Sequence, residues 1–352
     1  MAKLDIDLLR RLCDAPGIPG REDLIRSVVL NEMRSIVDEV TVDALGNVIG
    51  RRQGSGGPKV MIAAHMDEIG FFVSHIDEKG FLRLQPVGGF DPRVLIAQRV
   101  LVHGHAGETL RGALQLAAKP VHLLDPADIK PPKMEELFVD LGMTADAVNA
   151  KVEIGDIVTM DRTLESVGDC VMSKSLDDRL GIYVMLESVR VATGSNADIY
   201  AVATTQEEVG LRGARTSAYA IEPDISIALD VTLAMDIPGS QSHTQITALG
   251  EGAAIKIMDS SVLSDAKLVR HFRDLAREYE ISHQMEILPG GGTDAGATQM
   301  ARAGNTAITL SIPTRYVHSV NEMASIADIE ACVTLLARFL DAAGSREYGF
   351  EA

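Results

Sequence analysis

Leu8, Leu9, Leu12 and Cys13 fall on one helical stripe that stops at Pro16-Gly17, and a second stripe runs through Leu24, Ile25, Val28, Val29 and Met33. The spacing therefore predicts two helices at the start. Shorter runs follow, Val40 to Val42 and Val48 to Arg51, on either side of a turn at Leu45-Gly46-Asn47. Beyond the loop Ser55-Gly56-Gly57-Pro58, the segment Lys59-Val60-Met61-Ile62-Ala63-Ala64 is almost continuously apolar. Such strands belong to sheets covered on both faces. From about Phe72 to Thr163 the texture changes. β-like runs (Phe71–Ile76, Phe81–Gln85, Arg99–His103, Asp156–Thr159) are divided by turns such as Asp77-Glu78-Lys79-Gly80, and long helical stripes are nearly missing.

After Ser173 the pattern alternates: helix from about Asp178 to Val191, strand Ile199–Thr204, helix Gly213–Tyr219, strand Ile225–Leu229. Helices at Asp265–Tyr279 and Asp294–Ala303, a strand at Thr306–Leu310 and an amphipathic helix at Ile326–Ala342 complete it. Alternation of this kind predicts an α/β fold with a doubly covered, mostly parallel sheet. The expected organisation is an α/β domain made of residues 1–72 and 164–352, with a β-rich module inserted at 73–163.

Length and composition narrow the functions. A chain of 352 residues is long enough for two domains, and 46% apolar with 24% charged residues is ordinary for a globular protein. A formal charge of −17 repels phosphate backbones and anionic lipid, so neither nucleic acid nor membrane is an expected partner. Aromatics at 4% and no Trp argue against stacking on sugars or bases. Three scattered cysteines without a C-x-x-C pair, no signal-like start and no apolar run of roughly 20 residues point to a cytoplasmic protein.

The candidate chemistry lies where apolar strands end. Val60–Ala64 runs into His65-Met66-Asp67, Ile199–Thr204 into Gln206-Glu207-Glu208, Ile225–Leu229 into Asp230, and Thr306–Ile312 leads through Pro313-Thr314-Arg315-Tyr316 to His318. Ligands of open α/β sheets bind beyond the carboxyl ends of the strands, so these residues are expected in one site. Asp177, in Ser175-Leu176-Asp177-Asp178-Arg179, adds a carboxylate at a helix start that could bridge two cations. Imidazole and carboxylate without thiolate suit Zn²⁺, Co²⁺ or Mn²⁺. Taken alone, each motif has a bland explanation: a loop histidine, a helix cap, a solvated acidic pair. Four strand ends carrying such groups together outweigh it. Gly290-Gly291-Gly292-Thr293-Asp294 reads equally as a flexible cap or as a pocket wall in which Gly292 and Asp294 meet substrate. His103 and His105 read as surface histidines, and Arg315 as structural or carboxylate-directed.

The ordered set His65-Met66-Asp67-Glu68-Ile69-Gly70, Leu176-Asp177-Asp178-Arg179, Thr205-Gln206-Glu207-Glu208-Val209-Gly210, Ala228-Leu229-Asp230, Gly290-Gly291-Gly292-Thr293-Asp294 and Arg315-Tyr316-Val317-His318-Ser319 resembles the M42 dinuclear metallo-aminopeptidases, the tetrahedral (TET) peptidases of glutamyl and leucyl type. The resemblance spans essentially the whole chain. It implies two divalent metals, zinc or cobalt foremost and manganese as a further candidate. Asp177 would bridge them, His65 and Asp230 would hold one, and Glu208 and His318 the other. Glu207 would be the general base and Asp67 would orient His65. It further implies short peptides as substrates, a PDZ-like dimerisation role for the inserted segment around Phe138-Val139-Asp140-Leu141-Gly142, and a homo-oligomer, a dodecamer built from dimers. A related dinuclear deacylase or carboxypeptidase is the enzymatic alternative, although an insert directly after His65-Met66-Asp67 favours M42. An assembly scaffold is the non-enzymatic one.

Overall fold

The computed structural model describes residues 3–350 apart from 120, 124 and 126–129. Among the described residues, eleven strands form one sheet. At its centre the strands Asp198–Thr204, Lys59–His65, Ile225–Leu233 and Thr306–Arg315 lie side by side, all parallel. Both margins are antiparallel. Val48–Arg52 and Glu39–Val42 extend one side, and Glu322–Ser325, Cys170–Ser173 and Glu165–Val167 extend the other. The expected α/β architecture is therefore present, with its parallel part confined mainly to the middle.

The central strands read as continuous apolar runs because both faces are covered. Side chains alternate along a strand, so Val60, Ile62 and Ala64 enter the large core beneath helices Ile6–Asp14, Leu176–Val191 and Ile326–Ala342. Met61 and Ala63 instead meet Ala218 and Ile221 of helix Arg212–Ile221 on the opposite face. The closing helix carries Phe339, which stacks on Phe272 of helix Ala266–Glu278 with ring centroids 4.5 Å apart.

A second body interrupts this layout. Strands Gly70–Ile76, Leu82–Val87, Leu137–Asp140, Thr109–Leu116, Arg99–His103 and Ile157–Met160 close into a barrel. Its own core includes Phe71, Val100, Val102, Leu114, Val139 and Val158. Strand Thr109–Leu116 escapes a sequence reading because Gly112 sits in its middle. The fold explains the glycine: a Cβ there would lie 2.5 Å from Val139 Cγ1 of the neighbouring strand.

Phe339→Ala removes a fully buried ring from the main core. The expected loss is about 3–5 kcal/mol of unfolding free energy, measured by urea denaturation.

Candidate active site

Parallel register brings the strand ends to one level. Thr204 pairs with His65, and Ala63 pairs with Ala228, which puts Asp230 beside His65 at the carboxyl edge. Past Thr204 the chain turns at Gln206, with φ of 56°, and presents Glu207 and Glu208. His318 arrives from the far side through a tight corner, where Tyr316 and His318 both take φ of 61°. Three non-glycine residues in left-handed conformations around one spot cost of order 1–3 kcal/mol each and hold only because their surroundings over-determine them.

Asp177 lies at the middle. Its Oδ1 is 3.1 Å from His65 Nε2 and its Oδ2 is 3.3 Å from His318 Nε2, so each carboxylate oxygen faces a different imidazole. Asp177 and Asp178 open the helix Leu176–Val191 with non-helical dihedrals, and the peptide between them is cis. The helical course expected from Asp178 starts only after that break. Asp178 accepts from the backbone N–H of His65 at 3.2 Å and of Gly181 at 3.0 Å.

The adjacent glutamates face different partners. Glu208 Oε1 is 3.4 Å from His318 Nε2, whereas Glu207 Oε2 is 3.9 Å from His65 Nε2. Fully buried Asp67 holds this pair: its carboxylate accepts from the backbone N–H of Glu207 and of Glu208, both at 3.1 Å. Its relation to His65 differs from a carboxylate–imidazole bond. His65 Nδ1 is 2.9 Å from the main-chain carbonyl of Asp67 and 3.7 Å from its carboxylate. Donation from Nδ1 to that carbonyl fixes the ring so that Nε2 points at Asp177.

Burial pushes Glu207, Asp230 and Asp178 well above the usual carboxylate range, reinforced by neighbouring carboxylates. Asp177 moves the other way, because hydrogen bonds from His318 and His65 outweigh its burial. Burial also opposes charge on His318, yet Asp177 and Glu208 drive it up to about 12. The field of this cluster thus calls for positive charge. Two groups have donor atoms all within 4.8 Å of one another: His65, Asp177 and Glu208, and His65, Asp178 and Asp230. Hard oxygen and imidazole donors so closely spaced fit divalent cations.

Two residues beyond the sequence expectation enter here. Asp178 joins the second group; its place beside Asp177 was visible, but it read as a helix cap. Glu322 gave no signal at all. Buried in strand Glu322–Ser325, it accepts from the N–H of His318 at 2.8 Å and of Asp177 at 3.1 Å, tying two separate segments to one carboxylate. Burial pushes it up to about 8.

A cavity of about 490 Å³ opens on the cluster, walled by Gly290, Gly291 and Gly292 with Leu233, Ile246 and Leu288. Gly292 is therefore at the cavity, whereas Asp294 lies beneath it, accepting from the Thr204 hydroxyl at 2.6 Å. On the barrel, His103 pairs with Thr159 at 3.0 Å, and His105 joins Glu153 and Asp156 in a largely exposed group. Arg315 pairs with Asp236.

A parallel sheet that gathers imidazoles and carboxylates in a buried cluster at its carboxyl edge has the donor set of a metal-binding site. Comparison with known proteins is specific. The M42 glutamyl aminopeptidase family matches residues 46–335, and the chain belongs to that family. It is 37% identical over 345 residues to the lysyl aminopeptidase of Pyrococcus furiosus, covering 96% of this chain and 97% of that one. Among solved structures it resembles an aminopeptidase from the archaeon Desulfurococcus kamchatkensis, with a TM-score of 0.92 at 40% identity over 96% and 95% of the two chains. It also resembles the TET1 peptidase of Pyrococcus horikoshii, described as assembling into a tetrahedron or a large octahedral shell, with a TM-score of 0.83 at 30% identity over 95% and 98%. The protein is thus an M42 aminopeptidase, a hydrolase.

Glu322→Ala leaves the N–H groups of Asp177 and His318 without their acceptor. Zinc or cobalt binding to the metal-free protein, measured by calorimetry, is expected to weaken roughly 10- to 100-fold. Unchanged affinity would remove Glu322 from a positioning role.

Proposed function

We propose that this protein is a dinuclear metallo-aminopeptidase that removes N-terminal residues from short peptides. The observation that carries the proposal is Asp177, with one oxygen toward His65 and the other toward His318. His65 and Asp230 would hold one divalent cation, Glu208 and His318 the other, and Asp177 would bridge them. Zinc or cobalt, with manganese as a further candidate, would supply Lewis acidity there for activating a water and polarising the scissile carbonyl.

The remaining work falls to the protein. Glu207, next to a ligand but directed at the other side of the cluster, accepts a proton from the attacking water and delivers it to the leaving nitrogen as the amide C–N bond breaks. Asp67 keeps Glu207 and Glu208 apart in direction through their backbone N–H groups. The substrate's α-amino group is drawn to the carboxylate cluster, which explains attack at a free N-terminus. Gly292 and Thr293 form the wall of the pocket for the first residue, and Asp294, buried next in the chain, backs that wall.

The catalytic domain is assigned to 1–72 with 164–352, and the inserted 73–163 to a PDZ-like dimerisation domain, although the first barrel strand already begins at Gly70. Assembly of such dimers into a dodecamer is supported by the likeness to the TET1 peptidase. Among the described residues no helix is long and apolar enough to cross a membrane.

Glu207→Gln is expected to keep the metal content by elemental analysis while turnover of aminoacyl p-nitroanilides falls by about 10²–10⁴. Retained turnover would remove Glu207 from the base role. Chelation is expected to abolish cleavage of free-amine substrates, and zinc or cobalt add-back to restore it. Cleavage confined to N-acylated substrates or to C-terminal residues would instead favour the deacylase or carboxypeptidase alternative.

A further inference from the structure

A second cavity, about 840 Å³, lies against the first. The two share only the corner Val317-His318. One side of the second cavity is the loop that follows strand Thr306–Arg315; the other belongs to the barrel, with Phe90, Val94 and Ile96. The barrel chain gets there through Gly88-Gly89. A Cβ on Gly88 would lie 3.2 Å from Glu208 Oε2 and 2.5 Å from Ile69 Cγ2, and one on Gly89 would lie 3.4 Å from His318 Nδ1. Gly88 also has φ of +89°, which a side chain would strain. The inserted module therefore presses bare backbone against two candidate ligands, and its apolar side chains continue outward from them.

We infer that this cleft binds the leaving part of the peptide, and that the barrel is a wall of the active site which selects an uncharged, apolar second residue. The inference rests on the aminopeptidase reading above. Direction follows from the chemistry of the two cavities. The first holds the carboxylates Asp177, Glu207, Glu208 and Asp230, which attract the free amino group, and an aliphatic wall for the first side chain. A peptide anchored there with its carbonyl at the cluster leaves past His318, and the second cavity is continuous with that exit. Phe90 is fixed by stacking on Phe71, with centroids 4.4 Å apart. The charges in the cleft, Asp91 and Arg93, are one acid and one base paired with each other at 2.5 Å, so the cleft offers no net charge to favour a side chain of either sign.

The test uses the metal-loaded protein and the tripeptides Leu-Phe-Gly, Leu-Gly-Gly, Leu-Lys-Gly and Leu-Asp-Gly, with leucine first because the opposite wall is aliphatic. Ratios of kcat/KM within one preparation do not depend on the active fraction. For the unmodified protein the Phe peptide is expected to exceed the Asp and Lys peptides by about tenfold or more. Val94 is partly exposed on a short helix, so charge is tolerated there. Val94→Glu is expected to raise the Lys-to-Asp ratio about threefold to fivefold, and Val94→Lys to lower it as much. A ratio within twofold of the unmodified protein in both variants, or equal cleavage of all second residues, overturns the inference while leaving the aminopeptidase intact. Failure to cleave any of the four, with a panel of aminoacyl p-nitroanilides carrying apolar, basic and acidic first residues also untouched, overturns the proposed peptidase mechanism and this inference with it.

Discussion

Crowding of like charge is the constraint around which this molecule is arranged. Asp67, Asp177, Asp178, Glu207, Glu208 and Asp230 are brought within one small volume, and most of them are buried. Unpaired ionised carboxylates in such a place cost several kcal/mol each. The fold answers with backbone N–H groups aimed at Asp67, Asp178 and Glu322, and with cations just behind the cluster. Lys174 donates to both oxygens of Glu68 at 2.7 and 2.8 Å and also to the Cys13 carbonyl. Arg179, wholly buried, donates to the carbonyls of Leu12 and Ala15 and approaches Glu68 at 3.6 Å. The first helix is in this way bonded to the support of the site, not merely packed on it.

A parallel sheet suits the arrangement because all its central strands end at the same edge. A buried acid there is a few residues from a loop that can turn sharply, and the left-handed residues Gln206, Tyr316 and His318 are such turns. Packing and polar function are divided along each strand: Val60 to Ala64 packs, and His65 faces the acidic cluster.

The parts of the fold legible in the sequence are those that repeat. The apolar run of 59–64 declared a doubly covered strand, and the stripe of 326–342 gave the closing helix with its observed limits. Strands Ala253–Met258 and His283–Ile287 were missed, since short runs carrying Lys256 and Glu286 do not look apolar; the two pair with each other at 3.1 Å in the interior. At the site, residues ending strong strands were legible: His65, Glu207, Glu208 and Asp230. Glu322 was not, because its part depends on which N–H groups a folded corner leaves pointing at it. The structure puts Asp67 beside the cluster, but which of its oxygens faces His65 is decided by three-dimensional turn geometry that spacing does not encode.

The barrel leaves the sheet right after His65-Met66-Asp67 and returns just before the edge strand at 165, its last strand ending at Met160, which shares a small cleft with Asp177 and His318. Leu164 N–H, on the returning tether, donates to Asp14 at the end of the first helix. Tilting this appendage by a few degrees about two short neighbouring attachments would widen or narrow the passage at Gly88-Gly89 without disturbing any central strand. The width of that passage is thus set by residues of the two attachments and not by the strands that carry the cluster.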